Sequence, residues 1–141
     1  MRAHSLSAAL LATLLCGCQP PPPRQQLQGD ELKQQWRALA SIAAEAAMLA
    51  RQLSEARVSG SFAWVEQQGL AQDAVEAGAE LAKPAPASLA GEQAEALRVA
   101  VALEQEVNRI AGERHDGAAL RARADRLSAL SAQAWRRGEA R

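Results

Sequence analysis

Hydrophobic positions along most of this chain recur at alternating intervals of four and three. From about Glu31 to Arg57, Leu32, Trp36, Leu39, Ala43, Ala46, Ala50 and Leu53 keep that rhythm, and Ile42 and Leu49 widen the stripe. Such spacing paints one apolar face on a helix of 3.6 residues per turn. Asp30, directly after Gly29, supplies an N-cap. The stretch RVSGSF then interrupts the pattern. A second segment, about Phe62 to Ala82, opens its stripe on Phe62, Val65 and Gly69 and continues one step round on Leu70, Ala74, Ala77 and Leu81. Gly69 and Gly78 each weaken that helix by about 1 kcal/mol relative to alanine, or else permit a close helix contact.

KPAPAS breaks the chain again, because Pro84 and Pro86 lack donors and push their predecessors out of helix. Ser88 then caps a third segment, about Leu89 to Glu113, with Ala96, Ala100, Leu103, Val107 and Ile110 on its face. GERHDG is a turn, and Asp116 caps a fourth segment from about Gly117 to Arg137. Its face is Leu120, Ala124, Leu127, Ser131 and Ala134, with Leu130 beside them. Short connections make neighbouring helices antiparallel. The pattern therefore predicts an all-α, up-down-up-down four-helix bundle over residues 30–141. Two helical hairpins that complete a core only by dimerising satisfy the same pattern.

The N-terminal stretch follows different rules. MRAHSLSAALLATLLCGC joins a basic start, Arg2, to an uncharged apolar run from Ser5 to Leu15. That run is too short to span a bilayer, which takes about 20 residues, and it has the form of a secretory signal. Its end, Leu15-Cys16-Gly17-Cys18, resembles the lipobox of bacterial lipoproteins, departing from the commonest form only at Cys16, where Ala or Ser is more usual. The resemblance covers the first eighteen residues. It implies a signal peptide over residues 1–17, cleavage before Cys18, and lipidation of the Cys18 thiol, with two or three acyl chains holding the protein to a membrane. In lipoproteins of this kind an Asp after the cysteine marks inner-membrane retention. Gln19 stands there instead, which implies the outer membrane, facing the periplasm. Residues 18–29, CQPPPPRQQLQG, then form a lipidated, proline-rich tether, extended where the prolines lie.

The same reading removes thiol chemistry. Cys16 leaves with the signal and Cys18 is alkylated, so no disulfide can form within the mature chain. Cys-Gly-Cys lacks the spacing and histidine of a c-type haem site. Two Cys and two His, one of them His4 in the signal, fall short of a four-ligand zinc site. Cleavage also removes Arg2, so sixteen basic residues become fifteen against sixteen acidic. That balance, with export, argues against a nucleic-acid partner.

No catalytic constellation emerges. One His remains, His115 in a turn, and no serine sits in a nucleophile elbow. Glu104 and Glu106 are two residues apart and point to different helix faces. The chain reads as a non-enzyme without a cofactor or metal. Met48 and His115 are a chemically possible haem pair, but Met48 falls beside the core stripe and His115 at a helix end.

Charge distribution is more informative. Residues 60–106 carry eight acidic side chains against Lys83 and Arg98, whereas residues 114–141 carry seven arginines against three acids. On a helical wheel Arg114, Arg121 and Arg136 fall on one flank of the last helix, and Arg123, Arg126 and Arg137 on the other. Such residues either bridge to acidic neighbouring helices or meet an anionic partner. Trp36 is placed in the core and Trp64 and Trp135 off-centre, which makes Trp135, with Arg136 and Arg137, the candidate partner contact. The expectation is a small membrane-anchored envelope lipoprotein. Its helical module would bind an envelope protein or an anionic envelope surface and meet the bilayer through acylated Cys18. The alternative is a periplasmic carrier of a small ligand or haem, with room in the bundle core near Gly69 and Gly78.

Overall fold

The computed structural model describes residues 26–140. The signal segment, Cys18, the prolines and Arg141 lie outside them. The described residues form α1 (Gly29–Ser54), α2 (Gly60–Leu81), α3 (Ala90–Val107) and α4 (Gly117–Glu139), with a short 3-10 turn at Ala111–Glu113. They pack as an all-α four-helix bundle, in which α1 lies most extensively on α4 and α2 on α3, with further contact between α1 and α2. A single apolar cluster draws side chains from all four helices. One chain thus completes its own core, and the hairpin-dimer alternative is not needed to bury it.

Every stripe residue expected of α1 is buried. Its start differs from expectation: Gln28, not Asp30, is the N-cap, and its backbone N–H donates to the Glu31 carboxylate at 2.8 Å. The shift has a cause one residue earlier. Leu27 is buried, and its N–H donates to the Pro84 carbonyl at 2.8 Å, fastening the chain to the α2–α3 connection before the helix begins. Asp30 instead sits in the first turn, where the helix dipole favours it. The helix also stops earlier than Arg57. Ala56 takes a left-handed φ of 54°, and the Arg57 N–H closes back on the Gln52 carbonyl. That is a Schellman-type stop with alanine where glycine is usual.

The largest correction concerns α2. Its buried face is Ala63, Gln67, Leu70, Ala74, Ala77 and Leu81, while Phe62, Val65 and Gly69 are exposed. The lower stripe simply continues back to the N-terminus, through an alanine and a glutamine. Gln67 belongs there because its side-chain oxygen accepts the backbone N–H of Ala111 at 2.7 Å, a buried donor with no helical partner. Gln67→Leu should therefore destabilise the fold by about 1–3 kcal/mol, read as a shifted urea midpoint, because it strands that amide. An unchanged midpoint would mean that water replaces the glutamine.

Segment three ends at Val107 rather than Glu113, and the 3-10 turn follows, although Ile110 stays fully buried. Ser88 does not cap α3. Leu89 is the N-cap and makes no side-chain cap bond. The connection is closed from the helix side instead, by Gln93, whose amide donates to the carbonyls of Leu81 and Lys83 at 2.6 and 2.7 Å. Asp116 caps α4 as expected, accepting from Ala118 and Ala119. Near the end of α4, an added Cβ at Gly138 would sit 3.0 Å from the Arg37 side chain and 3.5 Å from its backbone nitrogen, a close α1–α4 approach in which the arginine side chain would have to give way.

Candidate functional site

The two arginine flanks of the last segment behave differently. Arg123, the member nearest the core, is only 2% exposed. Its Nε donates to a Glu113 oxygen at 2.8 Å, and its terminal nitrogens pair with Glu113 and Glu106. Arg126 joins it on Glu106 at 3.1 Å. Arg137 grips both oxygens of Glu95 at 2.6 and 2.8 Å. This flank is thus spent on α3 and the turn after it. The hydrogen bond from Arg123 holds the Glu113 carboxyl below the usual carboxylate range, against the opposing effect of burial, and the Glu113 carboxylate in turn raises the guanidinium of Arg123. Arg114, Arg121 and Arg136, on the other flank, are exposed and form no ion pair among the described residues.

The flank left open borders a groove between α1 and α4 of about 560 Å³. Its floor is small: Ala40, Ala44 and Ala47 from α1, with Ser128, Ser131 and Ala132 from α4. Arg37 and Arg136 stand at one end beside Trp135, and Arg51 at the other. No carboxylate lines it. Its hydroxyls are all engaged: Ser131 donates to the Ala40 carbonyl at 2.8 Å, Ser128 Oγ accepts from Arg51 at 2.7 Å, and Ser41 donates to the Glu45 carboxylate at 3.1 Å. Arg37 reaches Glu139 at 3.1 Å, a pair exposed on both sides and so worth about 0–1 kcal/mol. Trp135 is 57% exposed and forms one wall. The groove is a cationic, alanine-floored trough with an aromatic side, suited to an elongated, anionic, partly apolar occupant.

The expected contact residues are thereby separated. Trp135 and Arg136 both line the groove, whereas Arg137 points to α3 and serves the fold. Arg37 and Arg51 join the site from a helix about ninety residues away, and nothing in the local sequence marks them. Met48 lies exposed on α1 and His115 exposed in the turn before α4. Gly69 faces open space, and an added Cβ at Gly78 would meet Ala100 at 3.9 Å. Among the described residues no group of three or more His, Cys, Asp or Glu is placed to hold a metal ion, and no helix is long and apolar enough to cross a membrane.

A second exposed surface lies on α2. Phe62, Trp64 and Val65 near its start are each about half exposed, and Glu66, Asp73, Glu76 and Glu80 are exposed along its length. Comparison of the chain with protein-family models, with curated proteins and with solved structures gave no match.

Proposed function

We propose that this protein is a small envelope lipoprotein, held to a membrane through acylated Cys18, whose helical bundle works as an interaction or accessory module. The observation that carries the interaction reading is the α1–α4 groove, where an exposed tryptophan and three arginines, of which only Arg37 is ion-paired among the described residues, stand over an alanine floor with no carboxylate in its lining. The address rests on the resemblance of Leu15-Cys16-Gly17-Cys18 to a lipobox. The bond from Leu27 to Pro84 sets the point at which such a tether would join the bundle: the end holding the α2–α3 connection and the C-terminus of α4. Trp135 and Arg136 lie toward that same end.

A photoreactive residue at Ala132, on the groove floor, tests the interaction in growing cells. The expected result is one discrete crosslinked species that is lost in Trp135→Ala and in Arg136→Glu. A crosslink pattern indifferent to both substitutions would contradict the reading.

A further inference from the structure

We propose that the occupant of the α1–α4 groove is helix α2 of a second copy of this chain, so that the protein self-associates head to tail. The inference rests on the groove being the working surface, and it adds what fills it. Charge complementarity is the first argument. At 100° per residue, Phe62, Val65, Glu66, Asp73, Glu76 and Glu80 fall within about one 100° arc of α2, beside the buried face. All six are exposed, and Glu66 and Asp73 form no ion pair among the described residues. The arc is an acidic, partly apolar helix face, which is the complement of a cationic trough with an aromatic wall.

Spacing is the second argument. Glu66 and Glu80 are as far apart along α2 as Arg37 and Arg51 are along α1, about 21 Å by the helical rise. Because α1 and α2 are antiparallel and joined by a short connection, α2 of one copy standing at the same height as its neighbour puts Glu66 at the level of Arg51 and Glu80 at the level of Arg37, to within about one helical turn. The two copies keep parallel axes and present the same end to a membrane, as two tethered copies must. The exposed pairs Arg37–Glu139 and Lys83–Glu80 are weak enough to exchange for the new ones. The surfaces on one chain differ from each other, so the interface is heterologous, and each added copy leaves one groove and one α2 face open until a ring closes.

Sedimentation velocity on the purified full chain tests this, whether it is recovered from membranes or from the soluble fraction. The wild type should show concentration-dependent association that weakens from about 50 mM to about 500 mM salt. A groove variant, Arg37→Glu with Arg136→Glu, and an α2 variant, Glu66→Lys with Asp73→Lys, should each weaken association by at least about tenfold. All four positions are exposed, so unchanged melting curves confirm that both variants fold. Mixed together, the two variants should associate again, since each supplies the surface the other has lost and the two reversed surfaces are themselves of opposite charge. A monomeric wild type at low salt would overturn the inference, as would a mixture that fails to pair or association untouched by both variants. A Trp135-dependent crosslink to a different protein, with a monomeric wild type, would overturn self-association and leave the interaction module standing.

Discussion

Trp36→Ala is expected to cost about 3–5 kcal/mol of stability, the largest effect of any single truncation in the bundle. Trp36 is 0% exposed and is the bulkiest of the fully buried side chains. It packs at the α1–α4 seam, where an added Cβ at Gly138 would sit 3.5 Å from its own Cβ. The buried alanines that follow it on the α1 face, Ala40 and Ala43, are too small to fill the space left behind. The companion substitution Trp36→Phe should cost only about 1–2 kcal/mol, because the buried indole Nε1 has no hydrogen-bond partner to lose. Urea unfolding separates the two. Fluorescence adds a second readout, since Trp64 and Trp135 are both exposed. Trp36→Phe should shift the folded-state emission to the red. A Phe variant as damaged as the Ala variant would mean that the indole nitrogen is bonded in solution.

Arg123→Met should destabilise by about 3 kcal/mol, since it leaves Glu113 without its paired cation and Glu106 with only the exposed Arg126, both facing a partly buried site. The partial exposure of both carboxylates keeps the cost at the lower end of what breaking a buried pair produces. Its pH signature is specific. The Glu113 carboxyl titrates below its ordinary range in the fold, chiefly through the hydrogen bond from Arg123, so the unfolded chain binds that proton more readily. The stabilisation is complete above the ordinary carboxylate value and is lost as pH falls through the lowered one. Wild-type protein should therefore lose stability on acidification across that window, and Arg123→Met should lose less. Parallel acid limbs for the two proteins would show that Arg123 does not set the Glu113 titration.

Much of the bundle was legible because its long side chains mark the core. Leu32, Trp36, Leu39, Leu103, Leu120 and Leu127 are all buried where their spacing put them. Helix α2 misled because hydrophobicity and burial part company there. Phe62 and Val65 outrank Ala63 and Gln67 on any apolar scale, yet the bundle needs an amide acceptor for Ala111 more than it needs a phenyl ring. Two boundaries slipped for want of a signal. Ala56 does the work of a C-terminal glycine, and Gln93 replaces a cap at Ser88. The splitting of the arginines into two flanks was readable on a helical wheel. Which flank would find carboxylates was not, since that depends on which side of α4 faces α3. The groove was hidden for the same reason. Alanines look alike inside and outside a core, and Arg37 and Arg51 come to line one groove with Trp135 only after two distant helices pack.

The lipid anchor on which the proposed function rests is tested most directly by the mass of the N-terminal peptide of the protein isolated from its own cells. The account predicts a peptide that begins at Cys18 and carries a diacylglycerol on its thiol, and a Cys18→Ala chain that no longer sediments with membranes. A peptide that runs uncut through Gly17 and Cys18, or one that begins at Cys18 with a free thiol, would contradict it.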